Sequence, residues 1–210
     1  MLTDPKEIAI IQGAKQKNVR DPNRSREHFH NILKDFFAGV KLSGTYLDMG
    51  PGQYDFGMLA REQGGSCHAI DFDPAVVELG NYKGFTAIEM NIQQLPKHPL
   101  GRQFDGIFNK FTLNAFWGSD EPGAQGRLID AIVGHMAPQA WAWIGPWNGV
   151  PKSVPLSPAD VTRLLDEQRH LFEGHGFTTC PLSVWQARRY GINGDIANNV
   201  AFVKNLVWRP

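Results

Sequence analysis

Residues 45–53 read Thr-Tyr-Leu-Asp-Met-Gly-Pro-Gly-Gln, and this stretch decides the fold. The short apolar run Thr45–Met49 is typical of a buried strand. Gly50 and Gly52 allow the backbone to turn sharply and to approach a ligand where a side chain would clash. The apolar spacing of residues 56–63 predicts a helix whose first N–H groups point into that turn. The stretch therefore predicts a strand, a glycine turn and a helix, the opening of an α/β domain.

Strand-like and helix-like segments alternate along the rest of the chain. Further strands are predicted over 66–70, 85–90, 104–108 and 141–144, and further helices over 26–40, 74–79, 124–136 and 157–174. Two extended runs, 177–189 and 199–208, close the chain without a crossover helix between them, so we expect them to pair antiparallel. The predicted fold class is α/β, with a seven-stranded, mostly parallel sheet, helices on both faces and a C-terminal antiparallel strand pair.

Composition narrows the class of protein. The 210 residues carry 21 Lys and Arg against 21 Asp and Glu, and this neutral balance argues against a dedicated nucleic-acid binder. Hydrophobic residues make up 42% of the chain, which argues against disorder. The first residues lack the order of a signal peptide and no apolar run could span a membrane, so we expect a cytoplasmic protein. Cys67 and Cys180 have no partners at metal-ligand spacing, so no metal is expected, and reduced thiols are favoured over a disulfide.

Polar residues close the next three predicted strands. Asp71 ends the second strand 21 residues after Gly50, where a carboxylate can accept both hydroxyls of a ribose. Asn91 follows the third strand and Asn109 the fourth. The carboxyl ends of parallel strands meet at one edge, so these side chains should gather there. A dinucleotide fingerprint would need glycine at position 55, which is Asp55, and a dehydrogenase is therefore disfavoured.

In these motifs the chain resembles the class I, Rossmann-like S-adenosylmethionine-dependent methyltransferases, from about Ser25 to Pro210. The resemblance implies that Asp48 and the glycine turn hold the methionine portion, Asp71 the ribose, and Asn91 the adenine amino group. Tyr54 stands where many members have a third glycine. The cofactor-binding residues expected from the resemblance are Asp48, Gly50, Pro51, Gly52, Gln53, Asp71, Phe72, Asn91, Ile92 and Asn109.

The resemblance also places the methyl acceptor, beyond the fourth and fifth strands and under the N-terminal segment. Residues 109–114 lack the Asn/Asp-Pro-Pro-Tyr/Phe motif of methyltransferases that act on DNA bases or glutamine. The residues expected to contact the acceptor are Phe111, Trp117, Trp147, Asn148 and His30. No catalytic base is assigned. We expect residues 1–24 to form an extension that acts as a lid, and residues 25–210 to form the methyltransferase domain.

The resulting hypothesis is a methyltransferase that uses S-adenosylmethionine to methylate an oxygen or nitrogen of a small molecule. One alternative is an RNA or protein methyltransferase of the same fold, which the basic residues between Lys15 and Arg26 keep open. The other is a methyltransferase-like protein that binds the cofactor without turnover, because Tyr54 replaces a glycine and no base is assigned. The oligomeric state is left open.

Overall fold

The computed structural model describes residues 4–15, 25–113, 123–147, 157–192 and 199–206. The helices are α1 (Pro5–Gln12), α2 (Arg26–Phe37), α3 (Asp55–Glu62), α4 (Pro74–Tyr82), α5 (Ala124–Gly134), α6 (Pro158–Gly174) and α7 (Val184–Arg189), with a 3-10 turn at Ile92–Gln94. The strands are β1 (Thr45–Met49), β2 (Ser66–Asp71), β3 (Thr86–Glu89), β4 (Phe104–Lys110), β5 (Met136–Trp147), β6 (Thr178–Pro181) and β7 (Val200–Lys204).

The strands form one seven-stranded sheet in the order β3-β2-β1-β4-β5-β7-β6. Strands β1 to β5 pair in parallel, whereas β7 pairs antiparallel with both β5 and β6. The predicted fold class and the C-terminal antiparallel pair are therefore confirmed. The chain order reverses between β1 and β4, and ligands of such sheets bind beyond the carboxyl ends of the strands at this reversal.

Hydrophobic cores lie on both faces of the sheet. On one face α2 and α3 pack over β1, β4 and β5, with the rings of Phe108 and Trp143 stacked 5.2 Å apart. On the other face α5 and α6 pack over the same strands, with the rings of Phe172 and Phe202 stacked 4.0 Å apart. The two layers bury most residues of β1, β4 and β5, as is usual for the central strands of a parallel sheet.

The run at residues 177–189, predicted to be one extended segment, is a strand followed by a helix. Strand β6 ends at Pro181, and Ser183 begins α7 with a capping box. The Ser183 side chain accepts a hydrogen bond from the Gln186 N–H, and the Gln186 side chain accepts one from the Ser183 N–H. The prediction of an extended segment as far as residue 189 was wrong, because these local bonds favour a helical turn. Just after α7, the Tyr190 hydroxyl donates to Asp35 over 2.8 Å and ties this end of the helix to α2.

Other boundaries moved by a few residues. Strand β5 begins five residues before the predicted start and ends three residues later, at Trp147. Helix α2 ends at Phe37 because Ala38 takes up the left-handed conformation, with φ of 53°. The last strand was predicted to run to Trp208, but β7 ends at Lys204, where Asn205 takes φ of 55°. Residues 207–210 lie outside the described part.

The predicted N-terminal extension contains a helix. Residues 5–12 form α1, and Ile10 and Ile11 are buried in the same core as α2 and α3. Part of the segment expected to act as a lid is thus packed against the domain. Residues 16–24 lie outside the described part, so the lid role stays a prediction.

Within the described ranges, no helix is long and apolar enough to cross a membrane. The same ranges contain no group of three or more His, Cys, Asp or Glu side chains that could hold a metal ion. Cys67 and Cys180 are free thiols, and burial raises the pKa of both.

Candidate functional site

The glycine turn lies directly after β1, at the carboxyl edge of the sheet. Gly50 and Gly52 have φ values of +79° and +57°, a region that favours glycine. The Gly50 N–H donates to the Ile70 carbonyl over 2.9 Å, which fixes the turn to the end of β2. A Cβ atom at Gly50 would lie 1.9 Å from Thr112 Oγ1, so close approach also requires glycine there. The turn is therefore fixed to the end of β2 and packed against Thr112, which follows β4.

Tyr54, at the position of the third glycine, keeps the backbone conformation that a glycine would adopt. Its φ is 67°, and its ring is fully buried and stacked on Phe85 with centroids 5.0 Å apart. A Cβ atom at Gly80 on α4 would lie 2.1 Å from Tyr54 Oη, so that glycine makes room for the hydroxyl. The tyrosine therefore preserves the turn and places its side chain in the core.

We expect Gly80→Ala to lower the free energy of unfolding by about 2 kcal/mol, because the added methyl group overpacks the space taken by Tyr54. Tyr54→Leu should make the same change at Gly80 less costly, while the contact of the new Cβ with Ala87 Cβ, 2.8 Å away, would remain. Urea unfolding of the two single variants and the double variant measures this coupling.

Gly134 provides the matched control for that experiment, since a Cβ there meets nothing within 4 Å. Gly134→Ala should leave stability unchanged or raise it slightly. If Gly80→Ala lowers the free energy of unfolding by the same amount with Tyr54 and with Leu at position 54, the contact with the Tyr54 hydroxyl does not explain the need for glycine at position 80.

Two buried carboxylates flank the turn. Asp48, on β1, is 2% exposed, and Asp71, at the end of β2, is 9% exposed. Burial, together with the nearby carboxylates of Asp48 and Asp71, raises the pKa of the Tyr54 phenol, which places all three side chains in one neighbourhood. Burial is also the largest cause that raises the pKa of Asp71 to about 6, and the Asp73 carboxylate adds to it.

Asp73 orients Asp71 through the backbone. The Asp73 N–H donates to Asp71 Oδ1 over 2.9 Å. The Asp73 carboxylate accepts hydrogen bonds from the Ala75 N–H, as the N-cap of α4, and from the Lys15 N–H. The sequence reasoning did not single out Asp73, although Asp followed by Pro74 is a signal for a helix start.

Three other residues expected at the cofactor lie near the same edge. Phe72 is half-buried after β2. Asn91 is half-buried and its side chain accepts from the Gln93 N–H, beginning the 3-10 turn. Ile92 is buried in the core under α5 and α6. The structure thus brings the loop after β3 to the edge, with the side chain of Asn91 already used to form the turn.

Asn109 joins the ends of β1 and β4. It is 1% exposed, its Nδ2 donates to the Met49 carbonyl over 2.6 Å, and its Oδ1 accepts from the Leu113 N–H over 3.1 Å. These bonds hold together the crevice between β1 and β4 and give Asn109 a structural task at the site.

Phe111 is a predicted acceptor contact that lies at the surface. Its side chain is 38% exposed beyond β4, and its φ is 73°. Its N–H donates to the Gly145 carbonyl over 2.9 Å. A bulky residue in the left-handed region is strained, and such strain concentrates at functional sites. The Lys110 ammonium lies 5.4 Å from the Phe111 ring centroid and 5.0 Å from that of Phe29.

Trp147, another predicted acceptor contact, lies in the core and not at the surface. Trp147 is fully buried, its indole N–H donates to Gln168 on α6, and its ring packs against Phe172. Its side chain therefore offers no surface to an acceptor in this structure. His30 is exposed on α2. Trp117 and Asn148 lie outside the described residues.

Two cavities are found without any of these strand-end residues in their walls. One, of about 410 Å³, lies near the amino end of β4 and is lined by residues that include Pro99, Arg102 and His135. The other, of about 1000 Å³, lies along the outer face of α6 and is lined by residues that include Arg163 and His170. Ligands of parallel sheets bind at the carboxyl edge, so we assign the site to the glycine turn and not to either cavity.

Comparison with known proteins gives a consistent result at the level of fold. The sequence matches no family profile and no curated protein. Among solved structures it is similar to the N-methyltransferase NodS from Bradyrhizobium japonicum WM9 in complex with S-adenosylhomocysteine (13% identity, 95% of this chain and 97% of the other, TM-score 0.58). It is also similar to a SAM-dependent methyltransferase from Aquifex aeolicus (19%, 96% and 98%, 0.56) and to the Methanococcus jannaschii fibrillarin pre-rRNA processing protein (16%, 90% and 76%, 0.56). The chain therefore has the fold of the class I S-adenosylmethionine-dependent methyltransferases.

Proposed function

We propose that the protein is a methyltransferase that transfers the methyl group of S-adenosylmethionine to an oxygen or nitrogen of a small molecule. One observation carries the proposal: the glycine turn after β1, which lies beside the reversal point of the sheet, adjoins the buried Asp71 after β2. This is the edge where α/β sheets bind ligands.

The residues present fit this cofactor. Gly50 and Gly52 adopt the positive φ that the tight turn requires, and the turn leads into the N-terminus of α3. The Asp71 carboxylate has a raised pKa because it is buried, so hydroxyl donors from a ribose would stabilise its charged form. Asp48 adds a second buried carboxylate, which suits an amino group on the ligand. The two carboxylates thus favour a ligand that combines a ribose with an amino acid portion that carries an ammonium group.

Methyl transfer requires the protein mainly to align the methyl donor with the acceptor atom. S-adenosylmethionine, when bound, supplies an electrophilic methyl group on a sulfonium centre. Asp71 would accept hydrogen bonds from the ribose hydroxyls, and Asp48 would face the amino group. Together these contacts would fix the direction of the methyl group. Phe111, exposed beyond the adjacent strand, would cover the reacting groups and exclude water. Holding two reactants in the correct geometry can supply most of the acceleration.

Two features of the chain support a small-molecule acceptor and a cytoplasmic location of the protein. The formal net charge is zero, which gives no general attraction to a polyanion. The two free thiols are typical of a reducing compartment. Methylation of RNA or protein, and cofactor binding without turnover, are the alternatives that the experiment below separates.

The experiment is a transfer assay with S-adenosylmethionine that carries a labelled methyl group. The protein is incubated with the small-molecule, RNA and protein fractions of a cell extract, and Asp71→Ala serves as the inactive control. We expect label in the small-molecule fraction alone, and none with Asp71→Ala. Label confined to the RNA or the protein fraction would show that the acceptor is RNA or protein and not a small molecule. No label in any fraction, with cofactor binding intact, would favour the non-catalytic alternative.

A further inference from the structure

Helix α1 packs against α4, the helix that follows the ribose-binding strand β2. Three apolar side chains near the end of α1 are buried in the shared core: Ile10, Ile11 and Ala14. A Cβ at Gly13 would lie 3.9 Å from Ala75 Cβ, so the end of α1 meets the first turn of α4. The N-terminal helix is thus part of the wall around the end of β2.

Polar contacts hold the outer part of the same interface. The Tyr82 hydroxyl donates to Asp4 Oδ2 over 2.8 Å, and Asp4 is also the N-cap of α1. Lys83 forms an ion pair with Glu7 over 2.6 Å, with side chains only 10% and 16% exposed. Two separate contacts therefore tie α1 to the far end of α4.

A third contact, a hydrogen bond, connects the segment after α1 with the candidate site. The Lys15 N–H donates to Asp73 Oδ2 over 2.6 Å, and Asp73 is 1% exposed. The Asp73 N–H in turn donates to Asp71 Oδ1 over 2.9 Å. A continuous chain of hydrogen bonds therefore runs from the end of α1 through Asp73 to the carboxylate proposed to bind the ribose.

We propose that Asp73 is a positioning residue that couples the docking of α1 to cofactor binding at Asp71. The inference rests on the proposed function. The direction of the Asp71 carboxylate depends on the Asp73 N–H, and Asp73 is held between the Lys15 amide and the first turn of α4. Such coupling is reciprocal: the bound cofactor stabilises docked α1, and loss of the Asp73–Lys15 bond weakens cofactor binding.

Asp73→Asn tests this link with little damage elsewhere. Asparagine caps a helix as well as aspartate does, so α4 keeps its N-cap. Its amide nitrogen is a donor and cannot accept a hydrogen bond from the Lys15 N–H. Glu7→Gln is the matched control, because it weakens the α1–α4 interface without touching the chain to Asp71. Lys15→Pro removes the same hydrogen bond from the donor side, should Asp73→Asn fold poorly.

The measurement is hydrogen exchange of the α1 backbone amides in the full-length protein, with and without S-adenosylhomocysteine. In the wild type we expect the ligand to slow exchange in α1 by about fivefold. In Asp73→Asn that slowing should vanish, and the dissociation constant should rise about fivefold. Glu7→Gln should exchange faster in both states and keep the slowing caused by the ligand.

Each result bears on one claim. If the wild type binds the ligand with no change in α1 exchange, or if Asp73→Asn and Lys15→Pro keep both the slowing and the affinity, the coupling is refuted while the proposed function stands. If the wild type does not bind S-adenosylhomocysteine, the proposed function fails and this inference fails with it.

Discussion

Asp71→Asn is expected to weaken S-adenosylhomocysteine binding by about 10- to 100-fold, because hydrogen bonds to a charged group contribute about 1.5–3 kcal/mol. The same change should stabilise the unliganded protein at pH 7. Burial raises the pKa of Asp71 from 3.8 to about 6, so the folded protein holds an ionised carboxylate at a cost. One pKa unit corresponds to about 1.4 kcal/mol, which sets a ceiling of about 3 kcal/mol for the gain.

The pH dependence has a definite sign. The pKa of Asp71 is higher in the folded than in the unfolded protein, so its cost is absent at low pH and grows as pH rises from about 4 to about 6. The free energy of unfolding of Asp71→Asn should lack this dependence on pH. Urea unfolding at several pH values in this range, with calorimetric titration of the ligand at pH 7, measures both effects.

Glu78→Gln is the control for that pair of effects, since Glu78 is exposed on the neighbouring helix α4. It should change neither affinity nor the pH dependence. An Asp71→Asn variant that is less stable at pH 7 and still binds the ligand at full strength would assign Asp71 a structural task instead.

Gly50→Ala is expected to abolish ligand binding and to lower the free energy of unfolding by about 2–5 kcal/mol. The φ of +79° costs a residue with a Cβ about 1–2 kcal/mol. The new Cβ would also lie 1.9 Å from Thr112 Oγ1 and 2.5 Å from Thr112 Cβ, and overpacking adds about 1–3 kcal/mol. The turn would have to move from the position that Asp48 and Asp71 flank, so binding is lost with it.

Gly64→Ala separates the two causes. Gly64 has φ of +92°, and a Cβ there meets nothing within 4 Å. This variant should show the conformational cost alone and bind S-adenosylhomocysteine like the wild type. Unfolding curves and titrations of both variants make the comparison, and a Gly50→Ala protein with normal affinity would remove the glycine turn from the site.

The parts of the fold that the sequence predicted well are those with local signals. The apolar run 45–49 followed by two glycines identifies β1 and its turn, because both depend on a few consecutive residues. The antiparallel pairing of β6 with β7 was also predicted, although the short helix α7 that follows β6 was missed. Local patterning was sufficient for the alternation of strands and helices, but it gave no strand order.

The parts that it missed depend on contacts between distant residues. Tyr54 fits the turn only because Gly80 on another helix makes room for its hydroxyl. Trp147 is core because Gln168, 21 residues later, accepts from its indole N–H. Asp73 accepts a hydrogen bond from the Lys15 N–H, 58 residues away along the chain. Such roles are set by the packing of one element on another, which no local spacing reveals.

Calorimetric titration of the full-length protein with S-adenosylhomocysteine tests the cofactor assignment most directly. We predict binding at a single site with a micromolar dissociation constant, and a large loss of affinity in Asp71→Asn. Absence of binding by the intact, folded protein would contradict the assignment of the glycine turn and Asp71 to this cofactor.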